Sequence, residues 1–328
     1  MKLGIIGTGT IVQEFLPGLS TLDGLKLQAI LSTPRSLEKA QKLSREYGIV
    51  SVVTDFASLC QTDIDTVYVA IPNSLHYEYC RRALEQGLHV ICEKPLATNM
   101  REAEALACLA EKQHLMLFEA ITNQHMATYQ KIREWLPRIG AVKMVQSQYT
   151  QYSRRYDAFK AGEILPVFDP AKAGGALADL GVYCLHFVLG LFGTPLQYKY
   201  YPNIERGIDT SGIMVLSYPG FQALCLAAKD CQGNAFSIVQ GDKGSIRCDA
   251  PPNTMGKIIL ALNDGTREEF VDDSAAERQL PEFRNFIRAL NSADYAYSRR
   301  LFAHSLAVCR VQTEARLAAG IKFPSDAV

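Results

Sequence analysis

The spacing of apolar positions changes part-way along the chain. Through the first 120 residues, short apolar runs alternate with segments of helical period. Residues 3–6, 25–31, 64–71, 89–92 and 115–120 are apolar and rich in β-branched side chains, as buried strands are. The stretches between them open at Thr10, at Ser36, after Asn73 and near Asn99, and repeat apolar residues every three or four positions. The one from Ser36 stops at Gly48 and the next at Gly87. Strands alternating with helices predict βαβ units and a parallel sheet, wound right-handed as a Rossmann-type α/β domain.

After residue 120 the alternation stops. A helix over about 125–136 leads into a strand-like run at 141–149. Between 174 and 192 nearly every position is apolar or small, so this helix is expected to be buried all round. Asp179, Tyr183 and His186 interrupt it at i, i+4 and i+7, on one helical face. Buried polar groups need partners, a carboxylate most of all, which marks this stripe as functional. Strands follow at 213–218, 222–228, 237–240, 245–248 and 258–262, with hairpin turns at 241–244 and 263–265. They predict an antiparallel sheet with an apolar face to cover. Two helices, about 281–291 and 299–319, close the chain. The expected architecture is a Rossmann-type domain over 1–120 and an α+β domain with a mostly antiparallel sheet over 121–328.

Composition narrows the function classes. The 328 residues are enough for two domains at roughly 150 each. Lys+Arg and Asp+Glu both number 34 and no basic run occurs, so no nucleic-acid partner is expected. The nine Cys form no C-x-x-C pair, as in proteins of a reducing compartment. No signal-like segment and no apolar run of about 18 residues is read, so the expected location is cytoplasmic, with no membrane partner. No His, Cys and carboxylate cluster has metal-ligand spacing.

Candidate chemistry gathers at the strand ends. Gly7-Thr8-Gly9 follows the first strand, and Thr10 and Ile11 open the helix after it, the context of a dinucleotide fingerprint. Gly7 suits the tight turn, and Gly9 lets backbone approach a pyrophosphate at the helix N-terminus. The third fingerprint position is Val12 in place of Gly or Ala. At the end of the second strand, Ser32, Thr33 and Arg35 stand with no acid, which suits the 2′-phosphate of NADP better than the 2′-hydroxyl of NAD. A capping loop around Ser36 is the alternative. Glu93-Lys94-Pro95 follows the strand at 89–92, and a Lys there is suited to proton transfer.

Gly-Ile-Ile-Gly-Thr-Gly (4–9), Ile-Pro-Asn-Ser-Leu-His (71–76) and Cys-Glu-Lys-Pro-Leu (92–96) resemble, in order and spacing, the Gfo/Idh/MocA oxidoreductases. This is the superfamily of glucose-fructose oxidoreductase and inositol dehydrogenase. The resemblance covers essentially the whole chain, and Gly174-Gly175-Ala176-Leu177-Ala178-Asp179-Leu180-Gly181-Val182-Tyr183 matches a further family pattern. It implies an NAD(P)-dependent dehydrogenase or reductase acting on a carbinol or carbonyl of a small sugar-like, inositol-like or dihydrodiol substrate. It implies that Lys94, Asp179 and Tyr183 are catalytic, and that Ile71, Pro72, Asn73, His76, Glu93 and Lys94 border the cofactor. It also implies a homodimer or homotetramer, paired through the exposed sheet face. Where relatives carry a Tyr-Arg-x-His-Pro-like sequence, this chain has Thr122-Asn123-Gln124-His125-Met126, which puts inherited specificity in doubt. Asn123, Arg154, Arg155 and His186 are the candidate substrate contacts. A glycosidase that returns its hydride to NAD, and a non-catalytic nucleotide-binding regulator, are the alternatives within the superfamily.

Overall fold

The computed structural model describes residues 1–273 and 277–327, so Val328, the last residue of the expected second domain, lies outside the described residues. The described chain falls into two compact units. The first comprises Met1–Ala120 with Gln279–Leu306, and the second Ile121–Arg278 with Ala307–Val328.

The first unit is built on six strands: β1 (Lys2–Ile6), β2 (Lys26–Leu31), β3 (Ser51–Val53), β4 (Thr66–Val69), β5 (His89–Glu93) and β6 (Leu117–Ala120). All pair in parallel, in the order β3-β2-β1-β4-β5-β6. The order reverses between β1 and β4, and crevices at such reversals, beyond the carboxyl ends of the strands, bind ligands. The central strands are apolar because helices cover both faces. One covering element comes from late in the chain. Helix Leu280–Asn291 sets Phe283 against Tyr68, with ring centroids 5.3 Å apart, and stacks Phe286 on Phe118 at 4.6 Å. The sequence reading assigned everything after 120 to a second domain, whereas residues 279–306 return to pack with the first unit.

The second unit holds eight strands: β7 (Val142–Thr150), β8 (Gln197–Glu205), β9 (Ile208–Tyr218), β10 (Phe221–Ala228), β11 (Phe236–Gly241), β12 (Gly244–Cys248), β13 (Lys257–Leu262) and β14 (Arg267–Val271). Their order is β14-β13-β12-β11-β7-β10-β9-β8, antiparallel except for β10 beside β7. Side chains alternate cleanly across this sheet. Val145, Ala223, Cys225, Met214, Leu216, Val239 and Ile246 are buried on one face, where helix Val182–Phe192 packs. The other face carries Met144, Ile213 and Tyr201, all of them exposed, with Ile213 paired with Tyr201 and Met144 paired with Gln222 of β10.

Pro170–Phe192 corrects one expectation. It is long and apolar enough to cross a membrane, contrary to the reading that no such run exists, but its apolar window is 72% buried within the unit. A core helix passes the same test of length and composition.

Candidate active site

In the first unit the strand ends carry the candidate cofactor residues. Gly7 has φ of +115°, and a Cβ there would lie 2.3 Å from the Ala70 carbonyl oxygen, so only glycine fits where β1 meets β4. Gly9 is the N-cap of helix Thr10–Leu19, and a Cβ built on it meets nothing within 4 Å. Thr8 is buried between them, and Thr10 and Ile11 form the first turn. The helix N-terminus is thus bare of side-chain caps and open to an anion. Beyond β2, Ser32 is buried and its hydroxyl has no hydrogen-bond partner. Thr33 and Arg35 follow, exposed, on and beside the turn Pro34–Ser36. Ser36 precedes helix Leu37–Tyr47 without capping it through its side chain, so the capping alternative is not what this loop does. An open helix start, an orphaned hydroxyl and an exposed guanidinium fit a phosphorylated dinucleotide.

The turn Lys94-Pro95-Leu96 beyond β5 is pinned from several sides. Glu93 is buried, accepts a 2.5 Å hydrogen bond from the Tyr68 hydroxyl, and accepts another from the Lys94 backbone N–H at 3.3 Å. The Leu96 N–H donates to the buried Glu119 carboxylate at 2.8 Å. His76 places Nδ1 2.8 Å from the Pro95 carbonyl oxygen and Nε2 2.9 Å from that of Ile71. Burial pushes the His76 pKa down, although the two carbonyls oppose it. A neutral imidazole carries one N–H, so in that form His76 donates to one of the two carbonyls. It is fully buried, with both nitrogens committed to backbone. It ties the Ile71-Pro72-Asn73 loop to the Lys94 turn. Asn73 opens the turn Asn73–Leu75, and Lys94 is half-buried.

In the second unit the functional stripe lies on a distorted helix. Leu177–Gly181 form a π-helical turn that continues into the α-helix Val182–Phe192. Such turns are rare and occur frequently at functional sites. Asp209 of β9 anchors the start, its Oδ2 accepting from the Leu177 N–H at 2.6 Å and from the Tyr200 hydroxyl at 2.7 Å. Burial raises the Asp209 pKa to about 6 against the pull of these donors. The Asp179 carboxylate forms an ion pair with Lys229, the residue after β10. Tyr183 is 8% exposed, its ring 6.1 Å from that of Tyr149.

Two of the expected substrate contacts are buried in the described structure. Asn123 is fully buried and its Nδ2 donates to the Tyr183 carbonyl at 2.9 Å, so it braces the helix. His186 is fully buried as well, and its carbonyl accepts from Gln124 at 2.8 Å. Going along the stripe, exposure falls from the Asp179 side chain to Tyr183 to His186, so only the first two reach toward solvent. Arg154 and Arg155 are exposed ahead of helix Tyr156–Lys160. Lys229 and Asp209 escaped the sequence reading. The signal available was a charged or polar cluster, Asp209-Thr210-Ser211 and Lys229-Asp230, set in apolar strands.

Residues 1–121 match the family described as an oxidoreductase family with an NAD-binding Rossmann fold, and residues 129–247 match the GFO/IDH/MocA C-terminal domain. Scyllo-inositol 2-dehydrogenase (NADP(+)) IolU of Bacillus subtilis is 30% identical over 99% of both chains. The chain belongs to the Gfo/Idh/MocA oxidoreductases. A trans-1,2-dihydrobenzene-1,2-diol dehydrogenase of Xenopus tropicalis is 29% identical over 69% of this chain and 68% of the relative. Among solved structures, KijD10, a 3-ketoreductase from Actinomadura kijaniata in complex with NADP and TDP-benzene, superposes with a TM-score of 0.84 over 97% of both chains, at 25% identity. This Gfo/Idh/MocA member is accordingly an NAD(P)-dependent oxidoreductase, with the family's Rossmann and mostly antiparallel sheets in place.

Proposed function

We propose that the protein is an NADP-preferring dehydrogenase or reductase of a small polyhydroxylated compound, such as an inositol, a sugar or a dihydrodiol. Residues 1–120 bind the dinucleotide, with Gly7, Thr8, Gly9, Thr10 and Ile11 under the pyrophosphate and Ser32, Thr33 and Arg35 at the 2′-phosphate. The second unit binds substrate and pairs the subunits. When bound, the nicotinamide supplies the hydride acceptor or donor. Lys94 and Tyr183 exchange the proton of the substrate hydroxyl, and Asp179 tunes and orients them. Arg154 and Arg155 stand available to substrate from their exposed segment.

The observation that carries this reading is the pinned Lys94 turn. Glu93, Glu119 and His76 are all buried, and all bond the backbone of residues 94–96. Burying two carboxylates is costly and serves no evident packing purpose. A fixed backbone under an amine at the end of a Rossmann strand is what positioned general acid–base catalysis demands. The relative named for scyllo-inositol and NADP(+) supports the substrate class and the cofactor. A panel of inositols, aldoses and dihydrodiols, followed by the absorbance of reduced nicotinamide, tests it. At least one polyol should be turned over faster with NADP+ than with NAD+. Turnover on none, or an equal response to both cofactors that Arg35→Ala leaves unchanged, would contradict it.

The exposed sheet face favours a homo-oligomer. Met144, Ile213 and Tyr201 are exposed on that face, an apolar surface that supports a two-fold contact. Light scattering should give at least twice the 36.3 kDa chain mass, and a monomer at micromolar concentration would refute the pairing.

A further inference from the structure

We propose that Lys229 is a positioning residue for the reaction, holding Asp179 as a fixed carboxylate beside Tyr183. The inference rests on the catalytic role given to Asp179 above.

Lys229 emerges from β10 into a nearly closed environment. Its residue is 6% exposed. Its backbone is held on both sides, the N–H donating to Thr210 O at 2.8 Å and the carbonyl accepting from Ser153 N–H at 2.9 Å. An ammonium so enclosed needs an anion, because an isolated buried charge is far costlier than a paired one. Two carboxylates are within reach of this strand end. Asp230, the next residue, is taken by the hydroxyls of Thr210 and Ser211, each donating to its Oδ2 at 2.7 Å. Lys229 pairs instead with Asp179 Oδ2.

The pair is lopsided. The amine side chain is 7% exposed and the carboxylate side chain 34%, so solvent and any substrate meet the acid while the base stays inside. Asp179 sits on the π-helical turn, whose start is separately fixed by Asp209, so both its backbone and its charge are anchored from strands β9 and β10. A carboxylate in contact with a buried ammonium stays ionised and accepts hydrogen bonds. The titrating step then falls to Lys94 and Tyr183. The other ionisable groups on elements packed here are Asp209 of β9, Tyr200 of β8, Tyr149 of β7, Asp230 and Tyr183.

The test compares Lys229→Met and Lys229→Arg in the full chain, with NADP+ and a substrate found in the panel. Lys229→Met removes the ammonium and leaves Asp179 to titrate. Turnover is expected to fall by about 10-fold to 100-fold, with the acid limb of its pH profile moved to higher pH, while NADPH affinity holds. Lys229→Arg should restore the profile and most of the rate. If Lys229→Met folds poorly, it is placed on Asp179→Asn, where a Lys229 acting only through Asp179 should cost little further turnover. Wild-type turnover and profile in Lys229→Met, or a full additional loss on Asp179→Asn, would overturn the proposal. Wild-type turnover in Asp179→Asn alone would instead defeat the role of Asp179, independently of Lys229.

Discussion

The two units hold their reactive groups by different physics. In the first, the contacts of His76, Glu119 and Glu93 grip the backbone of residues 94–96. In the second, the functional side chain is itself gripped: Asp179 by Lys229, on a helix whose start is bound to the buried carboxylate of Asp209. The difference has a chemical sense. A group that must gain and lose a proton needs a fixed backbone from which to reach the substrate. A group that must keep its charge is best placed through that charge, with a counter-ion sealed behind it.

The contrast can be broken most severely at Gly175. Its φ is +108°, and a Cβ would lie 2.1 Å from Asp209 Oδ1, the carboxylate that anchors the helix start. Gly175→Ala should cost about 1–3 kcal/mol in backbone strain alone, with the clash added. Urea unfolding showing a loss below about 1 kcal/mol would mean the anchor is soft.

Next in size is the pH dependence of each anchor, and the two have opposite signs. Asp209 has its pKa raised from 3.8 to about 6, so its contribution to stability is full below pH 3.8 and is lost as pH rises through 6. Asp209→Asn keeps an acceptor for the Leu177 N–H and should remove a fall of about 3 kcal/mol across that window. His76 has its pKa lowered from 6.5, so its contribution is present above pH 6.5 and is lost as pH falls below it. His76→Ala should flatten that rise and, by leaving two buried carbonyls unpaired, cost about 1–3 kcal/mol at neutral pH. Unfolding curves for the variants from pH 4 to 8 check both signs. Parallel wild-type and variant curves would remove charge from the comparison.

The smallest stability effect is expected at Gly9. Its φ of −66° and ψ of 179° suit alanine, and the added Cβ meets nothing. Gly9→Ala should change stability by less than about 1 kcal/mol while weakening NADPH binding, because the Cβ occupies space into which a pyrophosphate approaches. Unchanged NADPH affinity by titration would remove the dinucleotide from this turn.

The same contrast explains what could be read in the sequence. The first unit's site is written in contiguous stretches, because strand, turn and helix start are neighbours in the chain: 4–9, 71–76 and 92–96 each carry their chemistry locally. The second unit's site is assembled across the chain. Asp179 and Tyr183 stood out as polar residues in an apolar helix, but their supports, Asp209 and Lys229, lie 30 or more residues later in strands whose pattern advertises only β structure. The burial of His186 was not legible for a related reason. Helical spacing placed it on one face with Asp179, but spacing does not say how far along that face the surface ends, and a π turn alters the register. Strands β3, β8 and β14 went unread because they are very short or lie at sheet edges, where polar residues replace the apolar alternation. The return of 279–306 to the first unit was illegible too. Amphipathic periodicity shows that Phe283 and Phe286 face a core, not which core.

The most direct test of the catalytic assignment is a double-variant cycle on Lys94 and Tyr183, with turnover and NADPH affinity measured on each protein. Lys94→Ala and Tyr183→Phe should each lower turnover by about 10²–10⁴-fold with NADPH affinity unchanged, since Gly7, Gly9 and the β2 loop are untouched. Residues that work in one step are not additive, so the double variant should be little slower than the slower single one. Wild-type turnover in Lys94→Ala on a verified substrate, or losses that multiply in the double variant, would contradict the account.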